Sequence, residues 1–410
     1  MKSYVIGLLL LSVVACGEED PGPFVPYVPE PGTPEAVAYD NGLTRYLGHV
    51  PVVSTAPGNA GTKIHEYDAA DGPMCLRGRE FRTITRSGSR DDLLIFLQGG
   101  GACWSDFCFA ITTAPPEMPD TDLLTLDPEN PFAKHDLLYV PYCDGSLFAG
   151  DTQIDEDADG APDRIHRGLA NLSAALTAGY DEFPRPSRIV LVGSSGGGFG
   201  TVLAVFLVRY VYPDVPIVVI NDAGIGVAHP EDPAFVDDLL VEFGARAAVP
   251  ADCADCIADG NVTRLVRYAL DRDPGVRIAA LTSEYDFVIS QVFLKVPAAN
   301  FRANLITATD EIRAAHPDRY RRFLFPGDAH TATLGALSAF VGVDVTNVEI
   351  PDEALDNIGN IHLESIHTAT TGGKLLEPWM GAFVDGRMDD APDLVPPVGP
   401  LPDWAMTPPE

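Results

Sequence analysis

The stretch that decides the fold runs from residue 188 to residue 200 and reads RIVLVGSSGGGFG. It opens with an apolar run typical of a buried strand, and a helix-like run follows from Thr201 to Tyr210. Between the two runs, Gly193 and Gly197 flank Ser195 in the spacing Gly-x-Ser-x-Gly. A strand, a tight turn and a helix in this order indicate a nucleophile elbow, because the sharp turn crowds the backbone on both sides of the serine. The pattern predicts an α/β protein with Ser195 as its nucleophile.

A carboxylate partner for Ser195 is expected after a later strand, because hydrolases of this type place nucleophile, acid and histidine in that order along the chain. Residues 277–281 form a strand-like run, and the loop that follows contains Glu284 and Asp286. Either carboxylate would lie at the carboxyl edge of a parallel sheet, where open α/β sheets place their sites. Glutamate is a known variant in this role, so the residues themselves leave the choice open.

The base is expected at His330, since it alone among the nine histidines follows a compact strand-like run, residues 322–325, in the required order. It would accept the Ser195 proton and return it to the leaving alcohol, while the acid fixes the imidazole tautomer. His362 and His367 are candidates to line a pocket from a late insertion. The other histidines are expected in surface or loop positions: His49, His65, His135, His166, His229 and His316.

A glycine-rich loop follows a further predicted strand. Residues 93–97 are typical of a buried strand, and residues 98–104 continue it as QGGGACW. Glycines let the main chain approach a substrate oxygen closely, so backbone N–H groups in such a loop are suited to an oxyanion hole. The second N–H of the hole comes from the residue after the nucleophile, here Gly196. A phosphate-cradling loop is disfavoured because no Gly-Lys-Ser/Thr follows.

At these residues the chain resembles the pectin acetylesterases of plants and bacteria, a family that also contains the animal Wnt-deacylating carboxylesterase Notum. The resemblance spans roughly residues 75 to 335, and several motifs in the correct order are more specific than any one of them. The residues that carry it are Phe96–Gly101 with Cys103, Pro141–Gly145 with Gly150 and Asp151, Gly193–Gly200, Asp286 and His330.

The resemblance implies an α/β-hydrolase-like fold, with a doubly wound, mostly parallel sheet and helices on both faces. It also assigns a triad of Ser195, Asp286 and His330, and an oxyanion hole at Gly100, Gly101 and Gly196. Two residues depart from the family pattern: Gln98 stands where the family usually has Glu, and Ala102 where plant members have Trp. Both flank the hole, so the acyl or sugar pocket is expected to differ from that of the plant enzymes.

The resulting hypothesis is a serine carboxylic-ester hydrolase that removes acetyl groups from polysaccharide and needs no cofactor. Two alternatives remain open. One is a carboxylesterase or lipase-like enzyme for longer acyl chains, and the other is a non-catalytic surface binding protein on the same fold, because fold does not guarantee chemistry.

The amino terminus has the pattern of a lipoprotein signal. Met1 and Lys2 precede an apolar stretch, Val5 to Val14, that is too short to span a bilayer, and Val13–Cys16 resembles the bacterial lipobox. We therefore expect lipid attachment at Cys16 and a place in the bacterial cell envelope, on the outer surface or in the periplasm, or release from the cell. An ordinary signal peptide is the alternative. The predicted organisation is a signal peptide (1–15), a Pro- and acid-rich tether (16–40), an esterase domain (41–385) and a Pro/Asp-rich tail (386–410).

Apart from Cys16 the chain has six cysteines, an even number in a compartment that permits disulfides. Fifteen pairings are possible from sequence alone. The family pattern suggests Cys75 with Cys143, Cys103 with Cys108, and Cys253 with Cys256. The last pair also has the spacing of a redox motif, which its acidic loop disfavours.

Two acidic features bear on ligands. Asp155, Asp157 and Asp159 have the opening spacing of a calcium loop, but His166 stands at position twelve, where such a loop needs a bidentate Glu. A solvated turn is the simpler interpretation, and no metal is assigned. The formal net charge of −32 argues against nucleic acid and against dense polyanions such as de-esterified pectin. The expected partners are an acyl-ester substrate and a membrane, and the expected state is a monomer.

Overall fold

The computed structural model describes residues 21–225, 229, 232–253, 255–336, 348–355 and 358–406 of the 410-residue chain. The predicted signal peptide and Cys16 lie outside these ranges. The strands are β1 (Val52–Pro57), β2 (Lys63–Tyr67), β3 (Arg82–Arg86), β4 (Asp92–Leu97), β5 (Gly101–Trp104), β6 (Phe107–Ile111), β7 (Asp136–Val140), β8 (Thr152–Ile154), β9 (Arg164–His166), β10 (Arg188–Ser194), β11 (Ile217–Asp222), β12 (Val276–Ser283), β13 (Tyr320–Phe325), β14 (Val348–Glu349), β15 (Thr370–Thr371) and β16 (Lys374–Leu375).

The α-helices are α1 (Ala36–Asp40), α2 (Gly168–Glu182), α3 (Gly196–Val211), α4 (Phe235–Glu242), α5 (Thr263–Arg272), α6 (Ala298–Ala315), α7 (Asp352–Leu355) and α8 (Leu376–Val384). A π-helical segment covers Val288–Phe293. Short 3₁₀ segments cover Leu43–Tyr46, Asn59–Gly61, Ala69–Asp71, Asp122–Leu124, Arg246–Ala248, Ala258–Gly260, Ile358–Asn360 and Asp403–Met406. Within the described ranges, we find no helix whose length and hydropathy suit it to crossing a bilayer.

The centre of the fold is a mixed sheet, which in the described residues has nine strands in the order β1-β2-β3-β7-β4-β10-β11-β12-β13. The strands β1, β2, β3 and β7 are joined by antiparallel pairing, and the six strands from β7 to β13 run parallel. The four strands expected from the apolar runs are present as β4, β10, β12 and β13. Since parallel neighbours end at one edge, the loops after these four strands meet there. The α/β prediction is confirmed.

Both faces of the sheet are covered, which explains why its central strands are apolar at successive positions. In β10, Ile189 and Leu191 pack into a core cluster that includes side chains of α2, α3, α5 and α6. The alternate residues Val190 and Val192 pack into a second cluster with α8, whose Trp379 is almost fully buried. Each face of the sheet therefore has its own helical layer.

The residues assigned to the tether differ from that expectation where the structure describes them. Phe24 is buried, and the Tyr27 ring stacks on Tyr210 of α3 with their centroids 4.6 Å apart. The Tyr27 backbone N–H also donates to the Tyr210 hydroxyl at 2.8 Å. The Pro-rich composition gave no indication that Phe24 and Tyr27 pack against the domain. Residues 21–40 therefore lie on the domain surface and do not form a free tether.

The predicted tail also packs on the domain over residues 386–406. Leu394 forms a parallel bridge with Phe323 and extends the edge of β13, while Asp393 forms an ion pair with Arg322 at 2.8 Å. Further along, Trp404 packs edge to face on a phenylalanine beside the site. Exposed sheet edges invite association, so covering β13 gives this segment a structural role.

The structure contains the three disulfides that the family pattern suggested: Cys75–Cys143, Cys103–Cys108 and Cys253–Cys256. The second joins directly opposed residues of β5 and β6. It therefore fixes the hairpin that continues from the glycine loop.

Candidate active site

Ser195 occupies the turn between β10 and α3 in a strained conformation. Its φ is 55° and its ψ is −119°, a region that L-residues rarely adopt. An added Cβ at Gly193 would lie 2.0 Å from the Gly197 carbonyl oxygen, and one at Gly197 would lie 2.1 Å from that of Leu97. The two glycines are therefore required by the close approach of the chain, and the turn is the predicted nucleophile elbow.

The side chains of Ser195, His330 and Asp286, here called the triad, form a continuous chain of hydrogen bonds. Ser195 Oγ lies 2.7 Å from His330 Nε2, and His330 Nδ1 lies 2.9 Å from Asp286 Oδ1. All three side chains are buried. The geometry suits transfer of the serine proton to the imidazole, with the carboxylate holding the ring in the required tautomer.

The structure separates the two candidate acids. Asp286 contacts His330 and accepts hydrogen bonds from the Thr282 hydroxyl at 3.2 Å and from a backbone N–H of the π-helical segment at 3.0 Å. Glu284 is instead paired with Arg302 at 2.8 Å. Asp286 is therefore the carboxylate placed to orient the histidine, and Glu284 has a separate, partly buried partner.

The three glycines expected to form the oxyanion hole surround Ser195. Gly100 and Gly101 line a cavity together with Ser195, and Gly101 has a φ of +80° that favours glycine. An added Cβ at Gly196 would lie 3.0 Å from the Gly101 carbonyl oxygen, so the loop and the elbow are in close contact. The arrangement places the backbone of these residues beside the position that a tetrahedral intermediate would occupy.

The two departures from the family pattern have different surroundings. Gln98 is buried, and its Oε1 accepts a hydrogen bond from the Tyr142 backbone N–H at 3.1 Å. Ala102 lines the larger of two cavities that meet at Ser195. Gln98 thus supports the loop from behind, whereas Ala102 contributes directly to the space available to a ligand.

The large cavity, of about 100 Å³, extends from Ser195 towards α3 and α4. Among its described lining residues, the polar side-chain groups are the Ser195 hydroxyl and the Trp104 indole N–H. The rest of the lining comes from glycine loop residues and from large apolar side chains of distant segments, including Phe199, Leu239 and Phe293. This cavity can hold an apolar group attached to the reacting carbon.

A second cavity, of about 60 Å³, lies on the other side of Ser195 and is called the histidine cavity because His330 lines it. Its other walls include Phe109, Ile111 and Leu363. His330 is not among the described residues that line the large cavity, whereas Ser195, Gly101 and Phe293 line both. The nucleophile therefore stands between two separate apolar spaces.

Asp222, at the end of β11, is a site residue that the sequence interpretation missed. It is fully buried, its carbonyl oxygen accepts the Ser195 backbone N–H at 2.8 Å, and its Oδ2 accepts the backbone N–H groups of Ala332 and Thr333 at 2.9 Å each. Burial raises the pKa of the Asp222 carboxyl to about 6, although the hydrogen bonds from Thr333 oppose this shift. The residue links the elbow to the loop that carries His330. The sequence did offer one indication of this role, because Asp222 is a polar residue at the carboxyl end of an apolar strand.

Two of the remaining histidines differ from the expectation of surface or loop positions, because His65 and His166 are buried within strands β2 and β9. His135 lies in a loop before β7, as expected, and is buried there. His65 lies between threonine hydroxyls of neighbouring strands, and desolvation lowers the pKa of His166 to about 4. Polar neighbours in sequence were mistaken for solvent exposure.

The two late histidines are not among the described lining of either cavity. His362 is exposed, and its backbone carbonyl accepts the His330 N–H at 2.8 Å. His367 Nδ1 lies 3.2 Å from a Glu377 carboxylate oxygen, away from the triad. The segment carrying them therefore contributes walls and backbone contacts.

The carboxylates of Asp155, Asp157 and Asp159 lie close together and are exposed. Their oxygens accept backbone N–H groups within the same turn, at 3.2 and 3.1 Å to Asp159 and at 2.9 Å to Gly160. These bonds account for the local structure of the turn. A calcium loop, the less favoured interpretation of this spacing, is untested.

An α/β sheet whose carboxyl edge carries hydrogen-bonded Ser, His and Asp side chains beside a glycine loop is the arrangement of an ester or peptide hydrolase. Residues 124–236 match the family model described as Pectinacetylesterase, so this part of the chain is similar to the pectin acetylesterases. The match indicates a carboxylic-ester hydrolase. The matched range contains Ser195 and Asp222 but ends before Asp286 and His330. No curated protein matches the chain significantly.

Proposed function

We propose that the protein is a serine carboxylic-ester hydrolase of α/β-hydrolase-like fold that acts through an acyl-enzyme intermediate. The observation that carries this proposal is the chain of hydrogen bonds from Ser195 through His330 to Asp286, with distances of 2.7 and 2.9 Å. The match of residues 124–236 to the Pectinacetylesterase family model independently supports ester hydrolysis. A purely binding protein would have no need to bury the hydrogen-bonded His330 and Asp286 side chains beside a strained serine.

Each residue of the site has a defined step in this mechanism. Ser195 attacks the ester carbonyl as His330 accepts its proton, and the backbone N–H groups of the glycine loop and of Gly196 stabilise the oxyanion. His330 then donates the proton to the leaving alcohol, which leaves Ser195 acylated. Water attacks the acyl-enzyme with His330 again as base, and the serine is restored. Asp286 holds the imidazole and stabilises its charged form throughout.

Acetylated polysaccharide is the first candidate substrate, because the family description indicates an esterase for such material. The net charge of −32 favours neutral or heavily esterified glycans over polyanionic ones, since the long-range field repels like charge. We expect acetyl and other short acyl esters to be hydrolysed faster than palmitoyl esters.

Longer acyl esters are a second candidate, and the large cavity specifically favours them. An acetyl group would fill only part of a space whose walls reach from Ala102 to Leu265 of α5. Each methylene in a hydrophobic pocket changes specificity by about 1–3 kcal/mol, so chain length is a sensitive readout of how much of this cavity is used.

A panel of acyl esters from acetyl to palmitoyl, assayed beside acetylated glycans, tests both candidates. Wild-type protein should release the acid from short esters, and Ser195→Ala should not. A maximum at acetyl supports the first candidate, and a maximum at a longer chain replaces it by the second. Equal turnover by wild type and Ser195→Ala would contradict the serine mechanism itself.

The amino terminus supports a further proposal, that Cys16 carries a lipid anchor in a bacterial envelope. Two or more acyl chains hold a protein far more firmly than one. Cys16→Ser should release the protein from membranes or leave the precursor uncleaved. Normal processing and unchanged membrane partitioning of this variant would contradict the anchor.

A further inference from the structure

The two cavities at Ser195 differ in which reacting group they adjoin. His330 must return its proton to the oxygen of the leaving alcohol, so the alcohol part of the ester has to lie on the His330 side of the nucleophile. The acyl carbon stays bonded to Ser195 after the alcohol has left. His330 lines the histidine cavity and is not among the described residues that line the large cavity. The large cavity is therefore placed for the acyl group, and the histidine cavity is placed for the alcohol.

The histidine cavity has an apolar lining. Ser195 and His330 supply the polar side-chain groups among its described walls, and both are engaged with each other. The remaining side chains include Phe109, Ile111 and Leu363, none of which offers a hydrogen bond. A sugar hydroxyl placed here would lose its water without gaining a partner, which is unfavourable, whereas an alkyl group would gain contact.

The walls belong to segments that also hold the triad in place. The His330 N–H donates to the His362 carbonyl at 2.8 Å, and the Glu364 N–H donates to the Thr331 carbonyl at the same distance. Leu363 lies between these two bonds, so its position is fixed relative to the histidine. Val288 follows Asp286 by two residues and lies in the π-helical segment. The cavity is thus a preformed part of the site.

We propose that the histidine cavity is a subsite for the alcohol part of the ester, and that it selects alcohols with an apolar group next to the ester oxygen. The inference rests on the serine mechanism proposed above. A volume of about 60 Å³ suits a short alkyl group.

The test is a series of acetates of methanol, ethanol, propan-1-ol and butan-1-ol, hydrolysed by the full-length protein. The acyl group is constant and these alcohols differ little as leaving groups, so differences in kcat/KM report the fit of the alcohol. We expect kcat/KM to rise about fourfold for each added methylene until the cavity is full. A flat or falling series in an active protein overturns the proposal.

A matched pair of variants locates the effect. Leu363→Gln changes the histidine cavity and Leu239→Gln changes the large cavity, and both leucines are partly exposed, so both proteins should fold. Leu363→Gln should flatten the alcohol series and leave an acyl series on methyl esters unchanged, while Leu239→Gln should do the reverse. Equal effects of the two variants on the alcohol series would also overturn the proposal. Failure of the mechanism is distinct, because hydrolysis would then persist in Ser195→Ala or be absent from the wild type for every ester.

Discussion

The triad and the two cavities beside it are built from different kinds of residue. Each triad member follows its own strand, and each is fixed by hydrogen bonds of 2.7 to 3.1 Å. The cavity walls instead combine apolar side chains from β6, α3, α4 and the segment around Leu363, which are far apart in sequence. The catalytic residues therefore lie in short local motifs, whereas the choice of substrate depends on how distant segments pack.

The largest effect on turnover is expected from substitutions that remove a triad side chain and leave the two cavities unchanged. Ser195→Ala or His330→Ala should lower ester turnover by on the order of 10³-fold or more, because nucleophile and base act as one unit. Binding of a short apolar ester should change little. Measurements of turnover and ester affinity on folded variants test whether the triad governs turnover while the cavities govern binding. Wild-type turnover in Ser195→Ala would contradict this.

The next effect separates the two buried acids. Asp286→Asn should lower kcat by an amount similar to or smaller than the serine loss, since the imidazole tautomer is no longer held. Glu284→Gln should leave kcat within a few-fold and lower the free energy of unfolding, because it disrupts the pair with Arg302. Both are read by kinetics together with urea denaturation. A greater kcat loss in Glu284→Gln would transfer the acid role.

A smaller effect is expected from changing a cavity wall and leaving the triad intact. Ala102→Trp should depress butyryl turnover more than acetyl turnover, by about thirtyfold or more in their ratio, because butyryl has two more methylenes and each is worth about 1–3 kcal/mol in such a pocket. The preference among alcohols should not change, since Ala102 lines the large cavity and is not a described wall of the histidine cavity. Equal losses for both acyl groups would show that Ala102 does not set acyl length.

The last effect concerns Asp222, which joins the two regions, and it is expected in stability and not in turnover. Because the pKa of the folded carboxyl is raised from about 4 to about 6, ionising Asp222 costs more in the folded chain than in the unfolded one. Its contribution to stability therefore falls as pH rises from about 4 to about 6. The free energy of unfolding of the wild type minus that of Asp222→Asn should fall by about 3 kcal/mol or less over this range and then stay constant. A difference that rises with pH would contradict the assigned burial effect.

Local signals made part of this molecule predictable. The glycines around Ser195 indicate a turn that only glycine allows. His330 follows a short apolar run, which indicates the strand that precedes it. Asp222 carried a weaker signal, since its importance arises from contacts with a loop more than 100 residues away. The cavity walls and the packing of Tyr27 carried none, because composition does not reveal which distant apolar surface a segment covers.

In the proposed mechanism, Ser195, activated by His330, forms the acyl-enzyme. A fluorophosphonate probe, which reacts with an activated serine, followed by mass spectrometry of the intact protein and its peptides, tests it most directly. We expect one adduct, located on Ser195, that is absent in Ser195→Ala and forms much more slowly in His330→Ala, with ester turnover lost in parallel. An adduct on another residue, or full ester turnover in protein whose Ser195 is completely labelled, would contradict it.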